Sequence, residues 1–161
     1  MTSTITRNVP PVALVRAINP VARLLLRSAG HSLIDQTVLL LHVTGRKTGR
    51  CYHIPVGYTS LDDRLIVVTV ARWRVNLRGG ADVEVTRNGR RRPMHALLDE
   101  EPASVAVTYD SVINRLGWDQ AAHQLGIKTS HGRRPTVLEL RVAAQTEGWS
   151  VITLTPPGHD R

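Results

Sequence analysis

The sequence predicts a mainly β fold of the α+β class, an antiparallel barrel of six or seven strands with helices near the start and late in the chain. Five short β-rich runs follow one another between residues 38 and 98, too close together for crossover helices, so neighbouring strands should pair antiparallel. Asn88-Gly89 separates the last two runs, and this pair favours a tight hairpin because both residues tolerate positive φ. A chain of 161 residues suits a single domain, since domains commonly run to about 100–200 residues.

The elements are predicted in the order helix, five strands, helices, two strands. Residues 1–33 form a helical N-terminal segment, with helices expected over 10–19 and 20–29 and Gly30 ending the second. The first five strands fall within 34–98, at 38–44, 51–59, 64–71, 82–88 and 91–98. An apolar stripe after Pro102 predicts helices within 102–126, and two closing strands are expected at 136–142 and 148–155.

Composition limits the compartment and the partners. The single Cys51 excludes an internal disulfide, and proline and arginine interrupt the first thirty residues, so we expect a cytoplasmic protein without a signal peptide. Arg16, Arg23 and Arg27 share one face of the N-terminal helix, which leaves open a peripheral membrane contact. The sequence also leaves a homodimer open.

The net charge of +8 is compatible with nucleic acid, an anionic membrane or an anionic small molecule. The chain has no Phe and three Tyr, which disfavours base stacking, so we expect no nucleic-acid partner. The run Arg90-Arg91-Arg92 in the Asn88-Gly89 hairpin is interpreted as solvated charge, with a nucleic-acid patch as the alternative.

The turn Gly45-Arg46-Lys47-Thr48-Gly49-Arg50 concentrates positive charge between two predicted strands. Backbone N–H groups, a hydroxyl and three cations in one hairpin loop can converge on a single anion. A solvated basic turn explains the same residues without a ligand.

The ordered segments "LLLHVTGRKTGR...IPVGY" and "RLIVVTVARWRVNLRGGADVEVTRNGRR" resemble the deazaflavin (coenzyme F420)-dependent nitroreductases and F420H2-dependent quinone reductases. The resemblance covers about residues 20 to 98. It implies a split β-barrel, related to flavin-binding barrels, and an oxidoreductase that passes hydride from reduced F420 to a small organic acceptor such as a quinone or a nitro or conjugated compound. In that family the basic loop and the W-x-x-N-L segment hold the phosphate and acidic tail of the cofactor.

The resemblance implies a set of cofactor-binding residues: Arg46, Lys47, Thr48, Arg50, Thr69, Trp73, Asn76 and Arg78. Each also has an ordinary explanation: a strand threonine for Thr69, a core indole for Trp73, a turn asparagine for Asn76 and a solvated arginine for Arg78. Tyr109 and Trp118 are the aromatic candidates for the substrate region. No catalytic residue is named, because the cofactor supplies the chemistry.

Two rival functions remain at this point. One is an FMN-binding oxidoreductase on the same barrel, and the other is a non-catalytic barrel that binds lipid, heme or an anionic ligand. No metal site is expected: His42 and His53 flank the basic turn and can approach across the hairpin, with His95 on another strand, but no Cys or His pairs have structural-zinc spacing.

Overall fold

The computed structural model describes residues 5–7 and 38–158, and its main element is a seven-stranded antiparallel sheet in the order β3-β2-β6-β7-β9-β5-β4. These strands are β2 (Val38–Thr44), β3 (Cys51–Gly57), β4 (Thr59–Leu61), β5 (Arg64–Thr69), β6 (Ala81–Arg87), β7 (Arg90–Asp99) and β9 (Ser150–Thr155). A separate short pair joins β1 (Ile5–Arg7) to β8 (Ile127–Thr129). The predicted N-terminal helices at 10–19 and 20–29 lie outside the described residues.

The sheet curls on itself into a half-barrel. β2 and β5 are separated by three strands in the sheet, yet Leu41 of β2 and Val67 of β5 belong to one buried apolar cluster. Side chains on one face of a strand alternate with those on the other, so this cluster marks the inner, concave face of the sheet. The predicted antiparallel barrel of six to seven strands is confirmed.

Helices cover the opposite face of β5 and β9. They are α1 (Pro102–Leu116), α2 (Trp118–Leu125) and α3 (Val137–Glu147). Ile66 and Val151 alternate with the inward residues of their strands and pack into a second core with the helices, where Tyr109 stacks on Trp149 at 4.8 Å between ring centroids. The late helices predicted within 102–126 are confirmed as α1 and α2.

The strand predicted at 136–142 is wrong, because this segment belongs to α3. Thr136 and Glu139 form a capping box, in which the Thr136 hydroxyl accepts from the Glu139 N–H and the Glu139 carboxylate accepts from the Thr136 N–H. Gly148 ends the helix at φ 67°. The alternation in "VLELRV" imitates a strand, but the buried Leu140, Ala143 and Ala144 have helical spacing.

Smaller differences concern boundaries. The strand predicted at 51–59 ends at Gly57, and its last residue belongs to β4; β9 begins at Ser150. A 3₁₀ helix at Arg72–Leu77 and the strands β1 and β8 were not predicted, and β1 lies within the N-terminal segment 1–33 that was expected to be helical. The Asn88-Gly89 hairpin is confirmed, with φ of 50° and 66° at its two turn residues. Among the described residues, no helix is both long and apolar enough to cross a membrane.

Candidate functional site

The basic loop, residues 45–50, forms a closed hairpin connection between β2 and β3. Its backbone is held by two hydrogen bonds of 2.8 Å, from the Gly45 N–H to the Arg50 carbonyl and from the Gly49 N–H to the Gly45 carbonyl. Gly49 has φ of 66°, a conformation that favours glycine. The side chains of Arg46, Lys47, Thr48 and Arg50 are all exposed, so the loop presents its cations to solvent.

Gly45 is required by a close approach of a neighbouring ring. A Cβ at this position would lie 2.9 Å from Cε2 of Tyr52 and 3.2 Å from Oγ1 of Thr48. The Thr48 hydroxyl also accepts from the Arg50 N–H at 3.3 Å. The loop is therefore packed against β3 and has a defined shape before any ligand binds.

The second predicted segment lies directly beside this loop. β2 and β5 run in the same direction, so both end at the same end of the sheet. The 3₁₀ helix follows directly after β5. The Arg46 N–H donates to Oδ1 of Asn76 at 3.1 Å, and the Arg46 guanidinium donates to the Arg78 carbonyl. Nδ2 of Asn76 donates to the Trp73 carbonyl at 2.9 Å. Asn76 thus links the basic loop to the 3₁₀ helix.

Thr69 and Trp73 lie at the N-terminal end of the 3₁₀ helix. Thr69 is buried at the end of β5, and its hydroxyl accepts from the Ala71 N–H at 3.0 Å, which fixes the turn into the helix. Trp73 is half-buried and packs against the inner core. The structure therefore places both as residues that shape the turn, with part of the Trp73 indole still open to solvent.

Glu100 is an anchor that sequence reasoning missed. Its carboxylate accepts from Nε and Nη2 of Arg78 at 2.7 and 3.2 Å and from Nε of Arg74 at 3.1 Å. The hydrogen bonds from Arg78 are the largest cause that lowers the pKa of Glu100, and the same contact raises the pKa of Arg78. Arg74 also donates to the carbonyls of Val70 and Ala71. In the sequence, the only feature that indicated a shared acidic partner was the four-residue spacing of Arg74 and Arg78, which can bring both guanidinium groups to one carboxylate.

Positive charge is in excess at this end of the sheet. Among the ion pairs of the described residues, none includes Arg46, Lys47, Arg50 or the neighbouring Arg72. Glu100 is already shared by two arginines. We call the set Arg46, Lys47, Thr48, Arg50, Trp73, Asn76 and Arg78 the basic corner. Guanidinium, ammonium, hydroxyl and amide donors of this kind suit a phosphodiester or carboxylate, so the residues fit an acidic, phosphate-bearing cofactor.

The two aromatic residues predicted for the substrate region lie in the helical core. Tyr109 is fully buried and stacks on Trp149, so its side chain lines no open surface. Trp118 packs partly against the same cluster and donates from Nε1 to the Gly132 carbonyl at 3.2 Å. Both residues belong to or pack against the helical core, whereas Trp73 packs against the separate inner cluster of the sheet.

The histidines near the turn form a pair. Nδ1 of His42 lies 2.6 Å from Nδ1 of His53, and Nε2 of His42 lies 2.9 Å from the Thr86 hydroxyl. The expected approach of these two histidines across the hairpin is confirmed, whereas His95 pairs with Asp82. Within residues 5–7 and 38–158, no group of three or more His, Cys, Asp or Glu is arranged to hold a metal ion.

Comparison with known proteins identifies the family of the chain. No curated protein matches the chain significantly. One solved structure, described as a domain-swapped dimer, aligns with 14% identity and a TM-score of 0.47, covering 90% of this chain and 99% of that chain. The sequence model of the F420H(2)-dependent quinone reductases matches residues 15–114, a span that contains the whole basic corner. The chain therefore belongs to the F420H(2)-dependent quinone reductase family and is an F420-dependent oxidoreductase.

Proposed function

We propose that the basic corner holds the phosphate and the acidic tail of F420, and that the enzyme passes hydride from the reduced cofactor to a quinone or a similar conjugated acceptor. The observation that carries this proposal is the contact between Arg46 and Asn76. It joins the loop and the W-x-x-N-L segment, 30 residues apart in sequence, into one surface with exposed cations on it.

The residues of the basic corner have two roles: some contact the anionic groups of the cofactor, and others keep the loop and the 3₁₀ helix in position. Lys47 and Arg50 are exposed and take part in none of the ion pairs of the described residues, so they offer charge directly, and Thr48, which lies between them in sequence, adds a hydroxyl. Arg46 uses one guanidinium N–H on the Arg78 carbonyl and keeps other donors for the ligand. The Arg78 guanidinium is already bonded to the carboxylate of Glu100. Its main role is therefore to hold the 3₁₀ segment in place, and any contact with the cofactor tail is secondary.

The chain's own contribution to the reaction is binding and orientation. When bound, reduced F420 supplies the hydride, and no protein nucleophile is needed. Trp73 forms an apolar wall beside the cations, and Thr69 acts as a positioning residue through its bond to Ala71. A preformed set of donors lowers the ordering cost of binding, because the loop and the 3₁₀ helix are already joined.

The test uses the two lysines of the chain as a matched pair. F420 is titrated into the wild type, Lys47→Ala and Lys128→Ala, and intrinsic Trp fluorescence is followed. One charge-assisted hydrogen bond contributes about 1.5–3 kcal/mol, so Lys47→Ala should weaken binding about ten- to hundredfold. Lys128 lies on β8, outside the basic corner, and its removal should change the affinity less than about twofold.

Turnover is then followed with reduced F420 and a soluble quinone. Acceptor-dependent oxidation is expected for the wild type and for Lys128→Ala, with a raised KM for the cofactor in Lys47→Ala. FMN, which carries a phosphate but lacks the acidic tail, serves as the comparison ligand. The proposal fails if F420 gives no saturable change, or if FMN binds more tightly than F420.

A further inference from the structure

A second basic surface lies at the other end of the sheet. An open groove of about 680 Å³ is lined there by the apolar side chains of Leu65, Val85 and Met94 and by the cations of Arg87, Arg90 and Arg92. β6 runs from the basic corner to this groove, and its six steps of about 3.3 Å separate the two by about 20 Å. The groove is therefore distinct from the surface assigned to the cofactor phosphate.

The arginine run in the β6–β7 hairpin is divided between the two faces of the sheet. Arg92 is paired in register with the buried Val85, and residues directly opposite each other point to the same face, so Arg92 lies on the inner side. Arg91 lies on the outer side, where it forms an ion pair with Glu84. All three arginines of the run are exposed, as the solvated-charge interpretation expects, but Arg92 is exposed on the inner side of the sheet, where it lines the groove.

Like charges face each other across this hairpin. Arg87 is directly opposite Arg90, and both share the inner side with Arg92. Opposed like charges destabilise a strand pair. None of these three arginines is in an ion pair within the described part of the chain, and the guanidinium of Arg87 lies 5.2 Å from the centre of the Tyr58 ring. Asp63 is the acidic residue among the lining side chains, so three positive charges face one negative charge.

The floor of the groove is apolar. Leu65 and Val85 are buried in the inner core, Met94 packs against it, and Pro156 and Pro157 also line the groove. A volume of about 680 Å³ falls within the range of about 300–1,000 Å³ that is common for small-molecule sites. Such a site would hold a ligand that has both an apolar body and a negative charge.

We propose that this groove binds an amphipathic organic anion, a free small molecule whose apolar chain or ring lies on Leu65, Val85 and Met94 and whose acidic head meets Arg92 and the facing pair Arg87 and Arg90. The bound anion relieves the repulsion between the facing arginines. This site is independent of the basic corner, so the failure of either proposal leaves the other standing.

Isothermal titration calorimetry with monomeric dodecyl phosphate tests the proposal. Arg92→Gln should weaken binding about ten- to hundredfold relative to the wild type, since it removes a charge-assisted contact. Arg91→Gln is the matched control, because it makes the same charge change one residue away on the other face. It should leave the affinity within about twofold. Inorganic phosphate, which lacks an apolar body, should bind at least about tenfold more weakly than dodecyl phosphate.

Four results would overturn this assignment. They are no saturable binding of dodecyl phosphate, equal losses in Arg91→Gln and Arg92→Gln, binding only to vesicles of anionic phospholipid, and competition between dodecyl phosphate and F420. Circular dichroism of each variant verifies that the fold is retained.

Discussion

Removing the Asn76 side chain should loosen the basic loop without removing any charge. Asn76→Ala deletes the acceptor of the Arg46 N–H at 3.1 Å and the donor to the Trp73 carbonyl at 2.9 Å. Two hydrogen bonds of about 0.5–1.5 kcal/mol each set an upper limit of about 3 kcal/mol. Because Asn76 is only half-buried, water can replace part of this, and we expect a loss in the free energy of unfolding of about 1–2 kcal/mol.

The effect on F420 binding follows from the loss of the loop's anchor. The loop must then be ordered when the cofactor binds, at a cost close to that of the lost Arg46 contact, about 0.5–1.5 kcal/mol. The dissociation constant should therefore rise about two- to twelvefold. Fluorescence titration with F420 measures the binding, and urea unfolding measures the stability.

Asn114→Ala is the control, because it also removes two side-chain hydrogen bonds. Asn114 donates to Asp110 at 3.1 Å and accepts from Arg134 at 2.7 Å, on the exposed surface of α1. A similar small loss of stability is expected, with an unchanged affinity for F420. If Asn76→Ala destabilises the protein but binds F420 as tightly as the wild type, preorganisation of the loop is refuted.

Three further predictions concern the loop, the late helix and the core. Gly45→Ala should destabilise the protein by about 1–3 kcal/mol because its Cβ meets the Tyr52 ring, and it should cost less in a Tyr52→Ala background, as chemical unfolding will show. The Arg133 hydrogen bond lowers the pKa of Glu139 from 4.5 to about 2, so its stabilisation is present above pH 4.5 and disappears as the pH falls towards 2. The Tm deficit of Glu139→Gln should accordingly shrink between pH 7 and pH 3, and a constant deficit would contradict this. Tyr109→Ala should cost about 3–5 kcal/mol, measured by urea unfolding, because it empties a fully buried site; a cost below 1 kcal/mol would show that the site is not a packed core.

The sequence predicted the sheet well because its signals are local. Alternating apolar residues and the Asn88-Gly89 turn define the central strands and one hairpin without reference to the rest of the chain. The segment after Pro135 failed because "VLELRV" fits both periods, and the reciprocal bonds of Thr136 and Glu139 decide for helix. Reading T-x-x-E as a helix start would have given the correct element.

The sequence singled out the separate residues of the candidate site, but it did not predict the contacts between them. The loop cations and the W-x-x-N-L residues were identified from the resemblance, whereas the direct bond from Arg46 to Asn76 depends on the curl of the sheet. Glu100 was missed because it follows β7, far in sequence from Arg74 and Arg78. Tyr109 was assigned to the substrate region by its type alone, and the packing of α1 against α3 and β9 buries it instead.

The most direct test of the account compares F420 with its deazaflavin core alone, which lacks the phosphate and the glutamate tail. Both are titrated into the wild-type protein at low and at high salt. We predict that the core binds at least about tenfold more weakly than F420 and that salt weakens only F420, because the proposal places the anionic groups of F420 at the basic corner. Equal affinities for the two compounds, with no effect of salt on either, would contradict the claim that these cations hold the cofactor.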